Sequence, residues 1–152
     1  MKRFSTLLCI LFNLTAEAGE IKSYDMNSVS LIRFAIHALY APKRLLVTPE
    51  GVHRTPMETE KHVLLFHSTR IDAMPIASWH AGALYVTAVE LKNLTTHPVH
   101  INLNQVLGNW QTAAMYPSNK LNPRDAHETS TLFLISDKPF QTALTENTGV
   151  VR

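Results

Sequence analysis

A chain of 152 residues with 14 Lys and Arg, 12 Asp and Glu and a formal net charge of +2 is long enough for one domain with a core of its own. Beyond Lys2 and Arg3, its basic residues stand singly or as the pair Lys43-Arg44, without the stripe and interleaved aromatics that track a phosphate backbone, so no direct nucleic acid binding is expected. A single cysteine, Cys9, excludes an internal disulfide framework and a cysteine zinc site.

Lys2 and Arg3 precede an apolar run from Phe4 to Leu14 and then Ala16-Glu17-Ala18, the charge, core and small-residue order of a secretory signal peptide. The run is well short of the roughly 20 residues that span a bilayer. Cleavage after Ala18 is expected. It would remove Cys9 and leave residues 19–27 as a polar lead, 28–145 as a β-sandwich domain and 146–152 as a flexible tail. The expected location is then the periplasm.

Val29, Ile32, Ile36, Leu39 and Tyr40 recur at helical spacing, which predicts an amphipathic helix over Ser28–Tyr40. Asn27 or Ser28 can cap its start, and Pro42 lies just past its end. Arg44 to Thr48, Val63 to His67 and Arg70 to Ile76 read as short strands, with Pro49, Gly51, Pro56 and Pro75 marking turns or edges.

The run from Ala83 to Trp110 has an apolar period of two with one polar, proline-containing break, and it predicts a β-hairpin. Leu84, Val86 and Ala88 share one face of its first strand, and Tyr85, Thr87, Val89 and Leu91 share the other. Both faces are largely apolar, as in a central strand covered on both sides. In the second strand Val99, Ile101 and Leu103 oppose His100, Asn102 and Asn104, which gives one wet face. A further strand is expected from Asn109, with Trp110, Thr112 and Ala114 on one face, and a last strand over Ser130 to Ser136. Lys138 to Leu144 reads as a short closing helix. The fold class is therefore mainly β, an antiparallel β-sandwich with one N-terminal amphipathic helix and a short C-terminal helix.

Catalytic patterns are missing. The five glycines are far apart, so no phosphate-cradling loop or nucleophile elbow can be written. His62 with His67, or His97 with His100, could be imagined as metal ligands. No HExxH helix or nearby carboxylate supports either pair, and His97 and His100 would face opposite ways in one strand. Glu90 sits among apolar neighbours by parity, and a solvated strand-end charge is its simplest role. Asn93-Leu94-Thr95 has the form of a glycosylation sequon. No enzymatic activity, metal or other cofactor is expected.

Four aromatic residues are the candidate partner-interface positions: Trp79, Tyr85, Trp110 and Tyr116. Burying a tryptophan removes on the order of 200 Å² from water, so Trp79 and Trp110 serve either as core plugs or as interface anchors. Trp79, Tyr85 and Tyr116 would line a shallow site if the chain were instead a periplasmic ligand- or carbohydrate-binding β-sandwich.

The segments LYAPKRLL (Leu39 to Leu46), ASWHAGALYVTAVELKN (Ala77 to Asn93), LGNWQTAA (Leu107 to Ala114) and TSTLFLISDKPFQTAL (Thr129 to Leu144) together resemble one family. It is the integrating conjugative element TraK-like family, outer-membrane-side core subunits of conjugative type IV secretion channels. The resemblance runs in order from Leu31 to Leu144 and contains no catalytic motif. It implies the β-sandwich C-terminal domain of such subunits and a structural role. The implied partners are a small outer-membrane lipoprotein and a periplasm-spanning scaffold subunit, in a ring-forming homo-oligomer around the exit path. Sheet-edge pairing is the expected contact, with the proline-flanked strands near Val47 and Phe66 as candidate edges. Members of that family carry a longer β-rich region ahead of this domain, so contacts made by that region are not carried over.

Overall fold

The computed structural model describes residues 26–68 and 70–146; the signal-peptide reading, Cys9 and the polar lead before Met26 lie outside them. The elements in chain order are α1 (Ser28–Tyr40), β1 (Val52–Arg54), β2 (Ile71–Ala81), β3 (Leu84–Asn93), β4 (Val99–His100), β5 (Thr112–Tyr116), β6 (Lys120–Leu121), β7 (Ser130–Ser136) and α2 (Phe140–Glu146). Five strands form an antiparallel sheet in the order β1-β2-β3-β7-β5, and β4 pairs with β6 in a small second sheet. The fold is mainly β, with an N-terminal helix and a short C-terminal helix, as the periodicity predicts. Among the described residues no helix is long and apolar enough to cross a membrane.

The large sheet separates two cores. On one face α1 buries Leu31, Ile32, Phe34 and Ala35 against Ala77, Trp79, Val86, Ala88, Phe133 and Ile135. Asn27 caps the helix by accepting a hydrogen bond from the Ser30 amide at 2.9 Å. The buried stripe is turned relative to the predicted one: Val29 is 56% exposed, and Leu31 and Phe34 point inward in its stead. On the opposite face Ala73, Val89, Leu91, Leu132 and Leu134 are covered by Leu65, Phe66, Ile101, Leu121 and Phe140, which come from loops, the small sheet and α2. β7 is buried at all seven positions because it has a strand on either side and a core on either face.

β3 is the central strand that its two apolar faces predict, with Val86 and Ala88 in the helix-side core and Val89 and Leu91 in the other. Its hairpin partner differs from the prediction. β3 pairs with β2 and β7, whereas Val99–His100 leaves to pair with β6. Two local features account for this. Gly82 at φ +57° closes a two-residue turn between Ala81 and Leu84, the position and sign that a type II′ hairpin turn requires. After β3, the buried Asn93 side chain donates to the His97 carbonyl at 2.7 Å and accepts from the Thr95 amide at 2.9 Å, folding the chain away from the sheet. Asn93 is only 2% exposed, so the folded domain does not present the sequon at its surface.

β2 is longer than predicted and holds Pro75 inside it. Ala73 turns its carbonyl away from β3 to accept from the Val63 amide at 2.9 Å. Two residues on, Pro75 has the same orientation, so its missing N–H removes no bond from the β2–β3 ladder. The register then shifts between Pro75 and Ala77, with Pro75 opposite Val89 and Ala77 opposite Ala88. Ile76 is the extra residue of a β-bulge.

Two predicted strands are corrected. Arg44 to Thr48 is not a strand: Lys43–Leu45 forms a 3-10 turn, and Val47 is 81% exposed with no strand beside it. Val63 to His67 is also irregular, held by the Val63–Ala73 bond and by the Leu107 amide donating to the Leu65 carbonyl at 2.7 Å. Its apolar character comes from roofing the sheet with Leu65 and Phe66. Neither segment near Val47 or Phe66 is a sheet edge; the edges of the large sheet are β1 and β5. The strand expected from Asn109 starts only at Thr112, and Glu146 belongs to α2 instead of the expected tail.

Candidate binding groove

The loop-covered face carries an open groove of about 800 Å³, a volume within the range of roughly 300–1,000 Å³ of small-ligand sites. One wall is formed by Phe66, His67, Ser68, Arg70 and Ile71, and the other comes from the segment that begins at Val99 and ends at Gly108. The Leu107–Leu65 backbone bond ties the two walls together at one end. Ile101 and Phe66 are buried at the base, and Ile71, Val106 and Leu107 are half-buried beside them. Polar side chains form the rim: His67, Arg70 and His100 on one hand, and the carboxamides of Asn102, Asn104 and Gln105 on the other, all exposed. No carboxylate among the described residues lines the groove. Among the described residues the Arg70 guanidinium has no ion-pair partner.

The far wall is built by short local structures. The Asn102 side chain accepts from the Asn104 amide at 3.0 Å and starts a 3-10 turn over Leu103–Gln105. Gly108 has φ +121°, and an added Cβ there would sit 2.4 Å from the Trp110 ring nitrogen. The glycine thus lets the indole lie against the backbone. Trp110 donates from Nε1 to the Leu107 carbonyl at 2.7 Å and stacks on Phe140 with ring centroids 5.5 Å apart. α2 is fastened behind this stack, since Glu146 accepts from Asn109 at 3.2 Å and pairs with Lys138. The Lys138 hydrogen bond, reinforced by that of Asn109, holds the Glu146 carboxyl below the usual glutamate range. Lys138 is in turn raised by its bond to Glu146.

The four predicted interface aromatics fall in separate places. Trp79 is a core residue, 5% exposed, edge-on to Phe34 at 5.9 Å with the Arg54 guanidinium 5.0 Å above its ring. Tyr85 lies on the other face of the sheet at the hairpin end, 5.6 Å from His80, which is itself 5.5 Å from His53. Trp110 buttresses the groove wall. Tyr116 is 39% exposed at the far end of β5, tilted against Tyr40 at 4.9 Å, and Tyr40 shares a 2.6 Å hydrogen bond with Thr131. Tyr85 and Tyr116 pair with Ser136 and Thr131, at opposite ends of β7, so the aromatics form no common platform.

The histidines are likewise dispersed. His62 Nδ1 lies 2.7 Å from Asp72 Oδ1, a pair that sequence separation hides. His97 is in the turn after β3 with Nδ1 3.0 Å from Thr96 Oγ1, while His100 is on the groove rim. Among the described residues no three His, Cys, Asp or Glu side chains gather as metal ligands. Glu90 stands in mid-sheet, opposite Met74 and Thr131, and is only half-buried. The groove is not among the sites the sequence predicts. Its one sequence signal is the polar alternation of His100, Asn102 and Asn104, which marks a wet surface without showing what faces it.

The architecture defines a mainly antiparallel β-domain flanked by two helices. Residues 14–152 match the model of a family described as "Protein of unknown function (DUF3438)", and the chain belongs to that family. No curated protein matches it significantly.

Proposed function

We propose that this protein is a structural subunit of the envelope-spanning core of a conjugative, integrative-element type IV secretion channel, acting by protein–protein contact on the outer-membrane side. The reading rests on the TraK-like resemblance of Leu31 to Leu144 and on a fold whose class agrees with it. The observation that carries the contact mechanism is strand β5. It forms one edge of the sheet, and Thr112-Ala113-Ala114-Met115-Tyr116 carries neither charge nor proline. Among the described residues no backbone hydrogen bond reaches it from a second neighbour. Edges that must stay unpaired are ordinarily blunted by lysine, proline or bulges; this one is open to an added strand.

The test is purification of the tagged protein from its native cell envelope in mild detergent after cross-linking. Recovery of an outer-membrane lipoprotein and a periplasm-spanning scaffold subunit is expected, and Thr112→Lys, which charges the edge at an exposed position, should reduce it. Recovery of free monomer alone would overturn the reading. The carbohydrate-site alternative depended on Trp79, Tyr85 and Tyr116 converging, and they stand in three different places.

A further inference from the structure

We infer that the groove between the wall of Phe66, His67, Ser68, Arg70 and Ile71 and the 99–108 segment is a binding site for a small amphiphile with an apolar body and a carboxylate head. The base supplies apolar contact through Phe66, Ile101 and Leu107, and the rim supplies positive and hydrogen-bonding groups, with no negative charge among the described residues that line it. An apolar ligand alone would leave that rim unused. A cationic head would meet Arg70 as a like charge, and a sugar would find no exposed aromatic face to stack on, since Phe66 is buried in the base. An anionic head beside Arg70 gains a charge-assisted, bidentate hydrogen bond, and the carboxamides at Asn102 and Asn104 offer further donors. The inference does not rest on the channel assignment, since the groove lies on the loop-covered face and the proposed assembly edge is β5.

Decanoate below its micellar concentration is the probe, titrated into the purified protein by calorimetry and followed by tryptophan emission. Trp110 is the natural reporter because its indole is bonded to Leu107 and packed on Gly108, both of which line the groove. Saturable binding at one site is expected, with decanol binding weaker. Arg70→Gln should weaken decanoate about tenfold, the scale of one lost charged hydrogen bond, and leave decanol unchanged. Arg33→Gln, which removes an equal charge from the exposed side of α1 on the opposite face, should leave both unchanged. No saturable binding, equal affinity for decanol, or an equal loss in Arg33→Gln would each overturn the proposal.

Discussion

The two faces of the large sheet are covered in different ways. On one face a single helix of 13 residues supplies nearly the whole cover. On the other the cover is assembled from Leu65 and Phe66, Ile101, Leu121 and Phe140, which are spread over most of the domain. A continuous amphipathic helix fits its partner surface as a unit, whereas a cover made of loops leaves gaps between its pieces. The groove lies in such a gap. In this molecule the irregular face is where binding chemistry can collect, and the regular face is where the fold is secured.

The largest effects that would sharpen this contrast come from β7, whose neighbouring residues Phe133 and Leu134 enter opposite cores and are both 0% exposed. Phe133→Ala should cost about 3–5 kcal/mol and Leu134→Ala about 2–5 kcal/mol, measured by urea unfolding. Hydrogen exchange should then show protection lost across α1 in the first variant and across the 99–108 segment in the second. If both variants lose protection uniformly, the two cores do not act separately.

Gly108→Ala tests the loop-covered face locally. With φ +121° and the indole in the way, Trp110 must move, at a cost of about 1–3 kcal/mol; a shift in tryptophan emission with α1 protection unchanged is the expected result. Asn27→Ala tests the helix side, where loss of the cap should cost about 1 kcal/mol and lower the melting temperature without altering the groove.

The smallest effect belongs to the Lys138–Glu146 pair. Because the folded-state Glu146 pKa is depressed, its contribution is present above the ordinary glutamate range and lost as pH falls through the lower folded value. Lys138 is raised, so its share holds below the ordinary lysine range and fades as pH rises through the folded value. Glu146→Gln should therefore flatten the acid limb of a melting-temperature profile slightly. An unchanged acid limb would mean that the pair contributes nothing.

The same contrast explains what could be read from the sequence. α1, β3 and β7 are legible because each is a continuous periodic run; the period names the faces of β3, whereas in α1 it gives the helix but a stripe turned away from the buried one, since Leu31 and Phe34 point inward and Val29 does not. The β2–β3 hairpin was missed because its turn signal, Gly82, is a single glycine between two apolar stretches, while the polar segment after Asn93 resembles a turn more strongly. Leu65 and Phe66 read as a strand because a short apolar run does not distinguish pairing in a sheet from roofing one. In the sequence the candidate aromatics stand out by size. Size finds Trp79 and Trp110 but not their surroundings, and the groove depends on His67, Arg70 and His100, which only the fold brings around one opening.

The bulge at Ile76 gives β2 two reading frames. Ahead of it Ala73 faces the loop-side core; behind it Ala77 and Trp79 face the helix. One strand thus stitches the two layers together, and the extra residue is what changes the side of the seam. Strict alternation through the same residues, with Ile76 taking a ladder position, would put Ala73, Ala77 and Trp79 on one face and send Trp79 toward the loop-side layer, so the extra residue between Pro75 and Ala77 is as much a part of this fold's specification as any side chain in its cores.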